Sequence, residues 1–335
     1  MKILVYLPCH SDMGLALNQA EKLRHEFATW QQGMTSTVDV LEIVLSVNAY
    51  EPNEFEKSRA KEFCDQTIYF GSNYLADVNI ANGFLTAIDK NPDIFWLLSA
   101  NDTLMENSIG GILNLFKSEP DVDLIVANAL NRNTKYLETQ IINPPRVGYS
   151  FGVISGVVYR LERLLPYLHN GPFMAWTGWP HLAVMQSAMN SLGGLRVRLM
   201  PDYLIYSQKE RDLRSAGLYY AHSFYGMLIL GFILETSRWK SRAFIRKYVY
   251  KNFYNFHLYS RKWKFEGDLI SSKNYLAWNQ DLAESLIAKK APVTFIFYLF
   301  FKFIPWENLS GMKIAIKIKR KIDRILNQSK VYNWG

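Results

Sequence analysis

The stretch Ile94-Phe95-Trp96-Leu97-Leu98-Ser99-Ala100-Asn101-Asp102-Thr103 sets an unbroken apolar run directly against small and polar residues. A run of this length with no polar alternation predicts a strand buried on both faces, as in a parallel sheet covered by helices. The change at Ser99 then places hydrogen-bonding side chains at the strand's carboxyl end, where open α/β sheets bind their ligands. Lys2–Leu7, Leu41–Val47, Thr67–Phe70, Asp123–Ala127 and Leu195–Met200 read as further short buried strands. Between them, Ala20, Leu23, Phe27 and Trp30 recur at helical spacing. So do Ile80, Phe84, Ala87 and Ile88, ending at Asn91-Pro92, and Ile109, Ile112, Leu113 and Phe116, ending at Pro120. Alternating strands and helices predict an α/β fold with a mixed, mostly parallel sheet flanked by helices.

The same polar punctuation follows other strands. Pro8-Cys9-His10-Ser11-Asp12 follows the first, and Asn48-Ala49-Tyr50-Glu51-Pro52 the second. None of these segments is a GxGxxG or GxxxxGK[ST] loop, which disfavours a dinucleotide dehydrogenase or a P-loop enzyme. Asp102 is the sharpest signal. A carboxylate just past a buried strand suits Mg²⁺ or Mn²⁺ shared with substrate phosphates. Its plainer reading is a turn or helix-capping Asp.

Cys9 and Cys64 are too few for a disulfide framework, fit no zinc spacing, and read as buried thiols of a reducing compartment. The apolar start stops at Pro8 with no small-residue cleavage site, so a first strand is expected rather than a signal peptide. No stretch reaches the ~18 apolar residues of a membrane span; the nearest, Ala291–Trp306, carries Lys302.

The net charge of +8 is unevenly spread: from Arg238 onward 20 Lys+Arg face 6 Asp+Glu, giving +14, and the preceding 18 against 24 give −6. Residues 1–215 are expected to form the α/β domain, and residues 216–335 a helical, basic and aromatic region. The segment Lys313–Leu326 carries Ile314, Ile318, Ile322 and Ile325 among Lys317, Lys319, Arg320, Lys321 and Arg324. Such amphipathic, basic and aromatic helices suit the headgroup region of an anionic membrane. A nucleic-acid grip is disfavoured, because the apolar share is high and no recognised motif is present.

Residues 1–210 resemble the family 2 glycosyltransferases, which have the GT-A fold. Leu41–Asn48 resembles that family's second strand and base-binding turn, and Ala76–Phe84 its "N-x-x-x-G" helix, through Asn79 and Gly83. Phe95–Thr103 resembles the strand entering its DXD metal motif. Ser155-Gly156 with Tyr159-Arg160 resembles its acceptor-side turn. The resemblance implies a nucleoside-diphosphate sugar donor, a divalent metal at Asp102, and inverting transfer to a glycan or lipid-linked oligosaccharide. It implies donor contacts from Pro8, His10, Asn48, Asn79, Ser99, Asn101 and Asp102, and acceptor contacts from Ser155 and Gly156. It also implies a cytoplasmic enzyme, peripheral on the inner face of the plasma membrane.

Three departures matter. Val47 stands where the family has a base-binding acid, leaving Asn48 to serve. Ala100-Asn101-Asp102 keeps only the last acid of the metal motif. The Glu-Asp pair that supplies the base is replaced by Trp176-Thr177-Gly178-Trp179-Pro180-His181. Pro180 suits the first turn of a helix with Leu182, Met185, Met189 and Leu192 on its buried face, stopped by Gly193-Gly194. His181 in that first turn is held neutral by the helix dipole and competent as a base, or is a packing histidine. A Trp-Pro-His segment here resembles an abequosyltransferase-like subset that builds bacterial surface polysaccharides such as lipopolysaccharide or capsule.

Trp176 and Trp179 read either as sugar-stacking or as core residues. His10 reads as a donor contact or a loop residue, and His222 as a late metal ligand or a structural residue. The rival functions are a nucleotidyltransferase and a degenerate GT-A domain acting as a membrane-associated scaffold or glycan-binding module.

Overall fold

The computed structural model describes residues 1–10, 13–33, 39–48, 50–71, 76–100, 102–130, 140–142, 154–207, 225–230 and 270–303. Asn101, His222 and the amphipathic segment 313–326 lie outside them. The described residues group into two compact units. One holds residues 1–175 and 180–207; the other holds Trp176–Trp179 with the C-terminal helices.

The first unit is built on nine strands: β1 (Lys2–Cys9), β2 (Val40–Val47), β3 (Gln66–Tyr69), β4 (Ile94–Leu97), β5 (Asp102–Leu104), β6 (Leu124–Leu130), β7 (Gln140–Ile142), β8 (Val157–Arg160) and β9 (Val197–Ser207). Their order is β3-β2-β1-β4-β8-β6-β9-β5, with β7 also on β9. Strands β1, β2, β3, β4, β6 and β9 run one way, and β5, β7 and β8 run the other. The sheet is therefore mixed and mostly parallel, as expected.

Helices cover both faces. On one lie α1 (Met13–Gln32), α2 (Glu54–Phe63) and α4 (Ser108–Ser118). On the other lie α3 (Ala76–Lys90), the short α6 (Asn170–Phe173) and α7 (Pro180–Leu192), with α5 (Leu161–Leu164) packed on α7. Strand alternation explains the division. Ile3, Val5, Leu7 and Cys9 of β1 enter the core shared with Ala16, Ala20 and Leu23 of α1, while Tyr6 points to α3. All of these side chains are fully buried.

Sequence punctuation ends the helices where expected. Asn91 takes a left-handed φ of 44° after α3, and Gly193 and Gly194 take φ of 71° and 141° after α7. Gly83 lets α3 approach the sheet closely. A Cβ there would stand 2.8 Å from Leu97 Cδ2 and 2.9 Å from Tyr6 Cδ1, closer than van der Waals contact allows. That approach sets the first turns of α3 over the ends of β1 and β2.

In the second unit, residues 225–230 are helical, followed by α8 (Ile270–Lys290) and α9 (Pro292–Phe303). Tyr298 donates a hydrogen bond to Glu284 Oε1 at 2.6 Å, and Gln280 Nε2 donates to the same oxygen at 2.8 Å. Helix α9 is two-sided: Thr294 and Tyr298 are buried, whereas Val293 and Ile296 are exposed. Among the described residues no helix is long and apolar enough to cross a membrane.

Candidate active site

Strands β2, β1 and β4 are parallel neighbours, so their carboxyl ends line one edge. Cys9 pairs with Val47 in register, and Tyr6 with Leu97. Strand β8 runs the other way beside β4, which brings Ser155 and Gly156, just before it, to the same edge. Strand β9 ends there too, and its Ser207 pairs with Asp102. Chain direction alone therefore gathers Pro8, His10, Asn48, Ser99, Asp102, Ser155 and Gly156 on one rim.

Asn79 binds this rim together. Its amide donates to the carbonyls of Cys9 at 3.2 Å and Ser46 at 3.3 Å. Its oxygen accepts from Tyr6 Oη at 3.1 Å and Ser46 Oγ at 2.6 Å. Two donors and two lone pairs are the whole capacity of a carboxamide. Asn79, 2% exposed, thus has nothing left for a ligand. These four bonds make Asn79 a bracket across β1 and β2. Tyr6 also accepts from Asn82 Nδ2 at 2.9 Å, and burial pushes its phenol pKa up to about 12.

Asn48 is fully buried, its N–H donating to the Cys9 carbonyl at 2.9 Å. Its amide nitrogen lies 3.3 Å from His10 Nδ1. With the amide as donor, Nδ1 accepts, and the imidazole proton resides on Nε2. Lost hydration lowers the His10 pKa below its ordinary value, which favours this neutral tautomer. His10 itself is exposed at the rim. Pro8 is half-buried beside Ser46 in register.

Asp102 begins β5 rather than sitting in a loop. Asp102 is 9% exposed, and its carboxylate has no ion-pair partner among the described residues. Ser155 Oγ donates to Oδ2 at 2.6 Å and accepts the N–H of Ser99 at 2.9 Å. The Ser155 carbonyl takes the indole N–H of Trp96 at 2.8 Å. The expected acceptor residue Ser155 is thus fully buried against Asp102. No group of three or more His, Cys, Asp or Glu side chains able to hold a metal occurs among the described residues. One carboxylate fits a cation shared with substrate phosphates, and does not fit an all-protein cage.

His181 lies in the first turn of α7, as read from Pro180, but its side chain is 1% exposed. Pro180 to Met185 are all buried, so this turn has no open face. In this structure the His181 side chain is enclosed within that turn and not open to the rim. Trp176 and Trp179 are half-buried and group with the second unit. An open groove of about 490 Å³ between α2 and β3, lined by residues including Lys57, Lys61, Cys64 and Tyr69, shares no residue with the rim.

Gln19 was missed by the sequence reading. It lies on α1, 6% exposed, and its amide donates to the carbonyls of Ser99 and Ala100 at 2.9 and 3.4 Å, and to that of Asp102. The available signal was a polar residue within the buried stripe of Ala16, Ala20 and Leu23.

A mixed, mostly parallel sheet between two layers of helices is the GT-A arrangement. No protein-family profile and no curated protein sequence matches the chain. Among solved structures, S. aureus TarS 1–349 in complex with UDP-GlcNAc aligns with a TM-score of 0.55 at 11% identity, covering 99% of this chain and 93% of that one. The same TarS fragment with UDP gives 0.49 at 12% identity, with coverage of 99% and 93%. Mannosyltransferase PcManGT from Pyrobaculum calidifontis, in complex with GDP-Man and Mn²⁺, gives 0.45 at 10% identity, with coverage of 91% and 87%. At such identity the TarS likeness shows the fold.

Proposed function

We propose that the chain is a glycosyltransferase that moves a hexose-type sugar from a nucleoside-diphosphate sugar to a glycan hydroxyl, with inversion. The observation that carries this reading is Asp102: a carboxylate on the carboxyl rim, outside any ion pair among the described residues, with one oxygen uncommitted. In this reading Asp102 holds a divalent cation on the diphosphate, which stabilises the departing charge. In the same reading His10 would meet the nucleotide, with Asn48 and Pro8 beside it on the rim. The shared fold supports the donor class, because S. aureus TarS was crystallised with UDP-GlcNAc. The test is calorimetry with UDP-, GDP-, CDP- and dTDP-sugars, with and without Mn²⁺. One donor is expected to bind with Mn²⁺ dependence. Binding by none of them supports the scaffold reading, which the single acid at 100–102 favours.

The acceptor in this proposal is a lipid-linked glycan of a bacterial surface polysaccharide, met at the inner face of the plasma membrane. The +14 balance from Arg238 onward and the exposed Val293 and Ile296 of α9 support surface docking. The full chain is expected to sediment with vesicles containing anionic lipid at low salt and to be released by high salt. Equal retention on neutral vesicles would contradict the electrostatic part of this account.

A further inference from the structure

Two side chains converge on the segment that carries Asp102. Gln19 turns its amide NH₂ to three acceptors, the carbonyls of Ser99, Ala100 and Asp102. Its own Oε1 is buried with no hydrogen-bond partner among the described residues. The reverse amide orientation would set that oxygen against three carbonyl oxygens, so the carbonyls dictate the side chain's pose. Ser155 closes the segment from the other side. Its hydroxyl accepts the Ser99 N–H and has one proton to give, which goes to Asp102 Oδ2. Oδ2 is therefore engaged, and Oδ1 has no protein partner among the described residues.

We infer that Gln19 and Ser155 are positioning residues that hold Ser99, Ala100 and Asp102 so that Asp102 presents one carboxylate oxygen, Oδ1, to a divalent cation. This rests on the donor reading above, in which the cation is shared with the diphosphate. A carboxylate whose second oxygen is seated by a 2.6 Å bond is held in one orientation and offers a cation a single point of attachment. The protein alone then holds the cation poorly, and diphosphate and cation bind together.

The experiment titrates Mn²⁺ into the full chain with each of UDP, GDP, CDP and dTDP, and repeats the nucleotide titrations in EDTA. Wild type, Ser155→Ala, Gln19→Met and Asp102→Asn are compared, with circular dichroism confirming the fold. In Ser155→Ala and Gln19→Met, the Mn²⁺ concentration for half-maximal promotion of nucleotide binding is expected to rise about tenfold or more. Metal-free nucleotide affinity is expected to stay near wild type, which a merely structural role would not allow. Gln19→Met keeps the side-chain length and carries the test should Ser155→Ala fail to fold. Wild-type Mn²⁺ midpoints in both variants, with promotion lost in Asp102→Asn, would overturn the clamp and leave the donor reading standing. An equal fall in metal-free and metal-dependent affinity would also overturn it. No nucleoside diphosphate bound by wild type would overturn both.

Discussion

Asp102→Asn is expected to lower sugar transfer by about 10²–10³-fold, the scale lost when one preorganised electrostatic stabiliser is removed. The substitution isolates charge from shape. A carboxamide oxygen still accepts the Ser155 proton, so the bond that seats the side chain persists. What disappears is the anion that would neutralise a cation on the diphosphate. Thermal stability should therefore change little while turnover falls, and rate and melting temperature measured on one preparation separate the two. Transfer within about threefold of wild type would show that the carboxylate takes no part in departure of the diphosphate.

Asn79→Ala is expected to cost about 3–5 kcal/mol of stability, because each buried polar group left unpaired costs about 1–3 kcal/mol. The truncation takes a donor from the carbonyls of Cys9 and Ser46 and the acceptor from the hydroxyls of Ser46 and Tyr6, while the Cys9 carbonyl keeps the Asn48 N–H. Tyr6 keeps its bond from Asn82, and water entering the gap offsets part of the rest. The sum therefore falls below four full penalties. Urea denaturation of wild type and variant measures the difference. A loss under about 1 kcal/mol would show that the bracket across β1 and β2 is not needed to hold the rim.

The centre of the parallel part of the fold was legible because β1, β2 and β4 are buried on both faces over most of their length and are largely apolar there. Ile43-Val44-Leu45 and Phe95-Trp96-Leu97 have no solvent side on which to place a polar residue. The three strands that the sequence did not disclose are the antiparallel ones, β5, β7 and β8. At 3, 3 and 4 residues they are too short to show a period. Their partners β9, β4 and β6 define them. Asp102 was legible as a candidate, since a carboxylate directly after an apolar strand suits a cation shared with phosphates as well as a turn. That it opens β5 was not, because its pairing with Ser207 lies more than a hundred residues away.

The roles within the site were less legible than their positions. Asn79 occupies the expected place, yet its amide is spent on Cys9, Ser46 and Tyr6, a closure that only three-dimensional packing determines. The stripe of Leu182, Met185 and Met189 implies one buried face on α7. The structure buries the opposite face of its first turn as well, His181 included. Gln19 contributes nothing to any motif and acts through carbonyls some 80 residues away. A lone amide on an apolar stripe was its signal. Sequence patterns report which faces are covered, whereas hydrogen-bond closure depends on which backbone groups the fold brings opposite.

The most direct measurement is a crystal structure of the full chain with a bound nucleoside diphosphate and Mn²⁺. The diphosphate should lie on the rim formed by the ends of β1, β2 and β4, joined through the cation to Asp102 Oδ1, with the nucleotide beside His10. A nucleotide seated instead in the groove between α2 and β3, or a cation bound without Asp102, would contradict the account.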